Sequence, residues 1–173
     1  MRVSGGILLY RRTDGDLQVL LAHPGGPYFK DREAGHWTIP KGEPDPDEAM
    51  LDAAVREFLE ETGVPLPVGM RLELGSITQK GGKVVHAWAV EGDLDPEVAH
   101  SNVFEVEWPP RSGRMQSFPE IDRVAWFDTT EARRRIKEAQ ALLIDRLEAT
   151  LAGGPDGAIS AQDAPRDASG PTG

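Results

Sequence analysis

Apolar and polar positions along the chain change period several times, and each change marks an element. Residues 3–12 hold the apolar run Ile7-Leu8-Leu9-Tyr10 behind Gly5-Gly6 and predict a strand. Thr13-Asp14-Gly15-Asp16 is a turn signal, and residues 17–22 predict the returning strand. A loop rich in Gly, Pro and charge covers residues 23–36, and a short strand at Trp37-Thr38-Ile39 is ended by Pro40. Beyond a second loop at residues 42–47 the period becomes helical. Leu51, Ala54, Val55 and Phe58 share one stripe, so a helix is predicted from Pro46 or Asp47 to Thr62, with Gly63 as its stop. Residues 71–80 and 83–91 read as a strand pair around Gly81-Gly82. Residues 103–108 and 124–127 predict further strands, and Thr129 or Thr130 caps a second helix, broken in its middle, that ends near Leu151.

This order predicts an α+β fold, a mixed sheet layered with helices. Residues 1–152 form one domain. Residues 153–173 hold almost no large apolar side chain and predict a flexible tail, because they cannot bury enough surface to offset their ordering entropy. A length of 173 residues suits a single domain. No run of 18 apolar residues is present, so no membrane span is predicted, and the start lacks the pattern of a secretory leader. The chain has no cysteine, which removes disulfides and thiolate chemistry and is compatible with a cytoplasmic location. A net charge of −10 argues against nucleic acid as a partner. Phosphate compounds stay within reach if a divalent metal screens the repulsion.

Glu57, Glu60 and Glu61 stand at i, i+3 and i+4 of the predicted helix, on a face beside its apolar stripe. By themselves they read either as a solvated acidic face or as oxygen ligands for a hard cation such as Mg²⁺. Their surroundings decide. From Gly42 to Val64 the sequence has Gly, five residues, Glu, seven residues, Arg-Glu, two residues, Glu-Glu, one residue, Gly and an apolar residue. Gly42, Glu48, Arg56, Glu57, Glu60, Glu61, Gly63 and Val64 thus fill the fixed positions of the Nudix box, with Phe58 where an aliphatic residue is usual. The chain resembles a Nudix (MutT-like) hydrolase, and segments such as Glu107-Trp108-Pro109-Pro110-Arg111 resemble a bacterial subgroup of predicted nucleoside triphosphate pyrophosphohydrolases.

The resemblance implies a Nudix-type α/β/α sandwich and a metal-dependent hydrolase of a nucleoside diphosphate linked to a further group. Glu57, Glu60, Glu61 and the Gly42 carbonyl would hold Mg²⁺ or Mn²⁺. Arg56 would orient a carboxylate, and Glu48 would support the loop and helix. The general base stays open between Glu57 and Glu120, with metal-activated water as a third route. Lys41, in a Pro-Lys-Gly similar to that of diadenosine polyphosphate hydrolases, would face phosphates.

Arg111 and Arg114 flank a Ser-Gly turn and read either as a clamp for an anionic tail or as a solvated loop. Trp37 reads as core, Tyr28 as a stacking partner for a base, and His86 as a core or pocket-edge histidine. His23, His36 and His100 have no metal-ligand spacing. The expected partner is a small nucleotide: a nucleoside triphosphate or diadenosine polyphosphate. ADP-ribose, a nucleotide sugar, a non-nucleotide polyphosphate, or a binding module without turnover are the alternatives. The sequence carries no signal for the oligomeric state.

Overall fold

The computed structural model describes residues 2–153, so the tail expected beyond Gly153 lies outside the described residues. Its centre is β1 (Val3–Thr13), the run with the longest apolar stretch. β1 is flanked by β2 (Asp16–Pro24) and by two-residue β3 (Lys41–Gly42) on one side, and runs parallel to β5 (Val84–Glu91) on the other. Between β3 and β5 come α1 (Met50–Thr62) and β4 (Leu72–Thr78), which pairs antiparallel with β5. Then follow β6 (Val103–Glu107), β7 (Met115–Pro119) and β8 (Ile121–Asp128). The main sheet has the order β4-β5-β1-β2-β8, while β6 and β7 pair only with each other.

Alternation along β1 separates two cores. Ile7 and Leu9 face α1 with Leu20, Phe58 and Val90. Leu8 and Tyr10 face the opposite layer with Val19, Trp37, Ile39, Leu143, Ile144 and Leu147. That layer is α2 (Thr129–Arg135) and α3 (Ala141–Ala152), so the α/β/α sandwich expected from the sequence is the observed one. No helix among the described residues is long and apolar enough to cross a membrane.

Four details differ from the sequence reading. Helix α1 begins at Met50 rather than at Pro46 or Asp47, because Asp47 takes φ 64° and the backbone turns there instead of winding. Its fully buried positions are Ala53, Ala54, Phe58 and Thr62, whereas Leu51 and Val55 are half-buried. The pairing predicted at Trp37–Ile39 is reduced to single bridges by Trp37 and Thr38, and the ladder to β1 forms beyond Pro40, at Lys41 and Gly42. The second helix is capped one residue earlier, by Asp128 accepting from the Glu131 amide at 2.8 Å, and is split into α2 and α3 at Ile136 and Lys137, whose backbones are extended or irregular.

Gln140 is the buried polar tie between these layers. Its side-chain oxygen accepts from the Ile39 amide at 3.0 Å, and its nitrogen donates to Thr38 Oγ1 at 2.9 Å and to Gln79 Oε1 at 2.7 Å. Helix α2 is held by charge as well. Arg134 and Arg135 hold the Glu131 carboxyl down from the usual 4.5 to about 2. A depressed acid stabilises the fold above its unfolded value and loses that contribution as pH falls. The difference in Tm between the wild type and Glu131→Gln is therefore expected to shrink between pH 4.5 and about 2, and thermal scans across that range check it.

Candidate active site

The last turn of α1 presents Glu57, Glu60 and Glu61, and Arg56 ties two of them to the loop before the helix. Its guanidinium donates to Glu57 Oε2 at 3.0 Å, Glu60 Oε2 at 2.6 Å, Glu48 Oε1 at 2.9 Å and the Glu43 carbonyl at 3.0 Å. These bonds raise the Arg56 pKa, Glu48 contributing most, so its charge is permanent. Glu48 answers by holding its carboxyl below the usual range through Arg56 and the Asp45 amide. It props the loop against the helix, as its place in the box implies.

Glu57 and Glu61 are both half-buried. Glu57 packs against the Gly42 backbone so closely that a Cβ at residue 42 would collide with its carboxylate. Burial raises its pKa against the opposing pull of Arg56, and Glu60 and Glu120 add to the rise. Glu61 Oε1 accepts from the Lys41 amide at 3.2 Å, and burial drives its pKa upward, with Glu57 and Glu120 adding repulsion and Lys41 opposing.

Glu120 arrives from the β7–β8 junction. Its amide donates to the Asn102 carbonyl at 2.8 Å, its carbonyl accepts from Gly25 at 2.8 Å, and the Asn102 amide donates to the Glu60 carbonyl at 3.2 Å. The junction is thus stitched to the end of α1, and the Glu120 carboxylate bears on both Glu57 and Glu61. It is exposed, and no side chain among the described residues bonds to it.

Three lysines, Lys41, Lys83 and Lys137, bear on one another's charge next to this cluster. Burial lowers the Lys41 pKa, and Lys83 and Lys137 lower it further by repulsion. Lys137 is likewise lowered, first by burial and then by Lys83. Hydrogen bonds tie their segments together: the Gln79 amide donates to the Lys83 carbonyl, the Lys137 amide donates to the Trp37 carbonyl, and the Gln140 side chain joins the Gln79 side chain to the Ile39 amide. Ser4 lies on the same face of β1 as Gly6, the partner of Lys41, and its buried hydroxyl has no hydrogen-bond partner among the described residues.

Of the residues singled out from the sequence, Lys41, Gly42, Arg56, Glu57, Glu60, Glu61 and Glu120 meet here. Arg111 and Arg114 do not; they are exposed at the far turn of the β6–β7 hairpin and form no ion pair among the described residues. Tyr28 is 57% exposed, edge-on to Trp108. Trp37 is core, as expected, under the guanidinium of Arg123 at 5.0 Å. His23 is fully buried, with its ring nitrogens on Asp122 and the Arg32 carbonyl. Lys83, Lys137 and Trp108 had no assigned role in the sequence, although lysines beside the Gly81-Gly82 turn and at the break of the last helix were the available signal.

A family model of the NUDIX domain matches residues 2–147. The chain belongs to the Nudix family. Within it, an asymmetrical bis(5'-nucleosyl)-tetraphosphatase of Rattus norvegicus is 42% identical over 69 residues, 36% of this chain and 47% of that protein. One from Caenorhabditis elegans is 36% identical over 61 residues, 35% of this chain and 40% of that protein. The chain therefore spans less than half the length of these relatives. The Nudix fold is shared with a C. elegans Ap4A hydrolase solved as a binary complex, at TM-score 0.60 and 22% identity over 88% of this chain and 99% of that one. The NUDIX domain of Shewanella oneidensis NrtR, solved with ADP ribose, aligns at TM-score 0.59 and 17% identity over 86% of each chain.

Proposed function

We propose that this Nudix protein is a divalent-metal-dependent pyrophosphohydrolase, acting on a dinucleoside polyphosphate or a nucleoside triphosphate. The observation that carries this reading is the meeting of the α1 carboxylates with lysines: Arg56 gathers Glu57 and Glu60, Glu61 accepts from the Lys41 amide, and the charge of Glu61 bears on both Lys41 and Lys137. Such a site has ligands for a cation next to ligands for a chain of phosphates. The tetraphosphatase names of the partial relatives support the same substrate class.

The donor set is all hard oxygen, which suits Mg²⁺ or Mn²⁺ rather than zinc. Among the described residues no three His, Cys, Asp or Glu side chains are already placed to hold a metal ion together. Arg56 occupies Oε2 of Glu57 and Oε2 of Glu60, so the Oε1 atom of each is the oxygen left for a cation, and Mg²⁺ completes its shell with waters and phosphate. Glu57, Glu60, Glu61 and the Gly42 carbonyl are the groups that would hold the ion. The chemistry supplied by the bound ion is neutralisation of phosphate charge and a lower pKa for water.

The remaining work falls to the chain. Lys41, Lys83 and Lys137 hold the phosphates through charge-assisted bonds. Arg56 orients Glu57 and Glu60. Glu120, solvent-facing and free of hydrogen bonds from other side chains, accepts the proton of the attacking water. Glu57 is less free for that task, since Arg56 and the Gly42 backbone already confine its carboxylate.

The test is product release from a panel of diadenosine polyphosphates, canonical and oxidised nucleoside triphosphates, ADP-ribose and nucleotide sugars, in Mg²⁺ and in Mn²⁺. Turnover is expected for the compounds with three or more phosphates, and to vanish in Glu60→Gln and Glu61→Gln. Lys137→Met is expected to raise KM for a tetraphosphate about tenfold, the size of one lost charge-assisted bond, and to change KM for ADP-ribose less. A preference for ADP-ribose would overturn the polyphosphate reading. Metal binding with no turnover of any compound would make the protein a binding module.

A further inference from the structure

The β6–β7 hairpin has no part in the main sheet, and nothing in the phosphate chemistry needs it. We infer that it is a nucleobase-binding arm, with Tyr28 and Trp108 receiving the base of the nucleotide whose phosphates lie at the carboxylates. The inference rests on the pyrophosphohydrolase reading for the position of those phosphates.

A lone two-stranded hairpin is marginally stable in water. This one is anchored at its base to the site itself, through Asn102 to the Glu60 carbonyl and through Glu120 to Gly25. Phe104 and Phe118 face each other across it, and the Phe104 ring lies over Gly26, where a Cβ would come within 2.9 Å of Cζ. The anchored arm brings Trp108 to Tyr28, ring centroids 5.3 Å apart at 82°. Tyr28 is three residues from Gly25, hence within about 10 Å of chain from the Glu120 backbone. An edge-on pair leaves ring faces open, and Tyr28 is more than half exposed. An aromatic pair in water beside a polyphosphate site is a stacking platform for a base.

Charge points to the same occupant. In a chain of net charge −10, Arg111 and Arg114 at the end of the arm have no carboxylate partner among the described residues. Both follow Trp108 within one turn of chain, and a guanidinium there suits the planar, electron-rich face of a base.

The test uses two probes that cannot be cleaved between phosphorus atoms, α,β-methylene-ADP and methylenebisphosphonate, which share the P–C–P unit and differ in the nucleoside. Calorimetric titration of the full chain in Mg²⁺ is expected to show the nucleoside probe bound at least tenfold tighter. Tyr28→Ala and Trp108→Ala should each remove most of that margin, about tenfold for one lost stack, and leave methylenebisphosphonate unchanged. Tyr28→Phe should keep it. The inference is overturned if the wild type shows no margin, if the margin survives both alanine variants, or if both probes weaken equally. It is also overturned if the variants abolish a dimer in sedimentation while the margin stays, which would make the arm a contact between copies. Binding is read without turnover, so a protein that keeps the margin but hydrolyses nothing retains the arm and loses the hydrolase reading.

Discussion

Glu120→Gln is expected to lower kcat about 10²–10⁴-fold, the usual contribution of a positioned general base, while the affinity for Mn²⁺ stays close to that of the wild type. Glutamine keeps the size of the side chain and the backbone bonds to Asn102 and Gly25, so the junction and its attachment to Glu60 remain. What is lost is the ability to take a proton. The Glu120 charge also raises the pKa of Glu57 and Glu61, and its removal lets both acids ionise more readily. Metal affinity should therefore hold or improve. Steady-state kinetics with a parallel Mn²⁺ titration separate the two effects. If affinity and rate fall together, Glu120 is a ligand and the base role passes to Glu57.

Gly42→Ala carries the second large effect. The new methyl would occupy the space of the Glu57 carboxylate, and one of the two must move. The strand is the stiffer partner, because Gly42 pairs with Gly5, Ile7 donates to the Pro40 carbonyl at 3.0 Å, and the Lys41 amide is held by Glu61. Glu57 is therefore displaced. Displacement of a confined ligand should weaken metal binding about 10–100-fold, the range seen when the support of a ligand is lost. Activity as a function of Mg²⁺ concentration is expected to shift to higher metal, with part of the rate recovered at saturation. An unchanged metal dependence would mean that Glu57 does not need its seat on Gly42.

The fold was legible where physical constraints are local. The apolar run of β1, the alternation of β5 and the stop at Gly63 each follow from a short stretch of chain, and Gly63 indeed takes φ 74°. The box carboxylates were legible for the same reason, since one helix face fixes their spacing. The β6–β7 hairpin was half hidden because Met115–Pro119 has no apolar alternation and is held by its partner strand and by Gly25, which packs against the Pro119 carbonyl. Lys83 and Lys137 were hidden because isolated lysines look solvated until the three segments that carry Lys41, Lys83 and Lys137 are tied together across the fold. The choice of base was open because Glu120 reaches the cluster through tertiary bonds, from His100 and Asn102 to the end of α1 and from Glu120 to Asn102. The start of α1 was misplaced because Asp47 adopts a left-handed backbone that its sequence does not demand.

Gln140 also sets an order of events. The box is complete by Val64, but the stretch from Trp37 to Lys41 draws its partners from residues synthesised long afterwards. The Trp37 amide needs the Arg135 carbonyl, the Trp37 carbonyl needs the Lys137 amide, and Ile39 needs the Gln140 side chain. A nascent chain emerges N-terminus first, and contacts over about a hundred residues close last. Every acid of the cluster except Glu120 is therefore made early, while the stretch that leads into Lys41 and Gly42 finds its last partners only when the final quarter of the domain has left the ribosome.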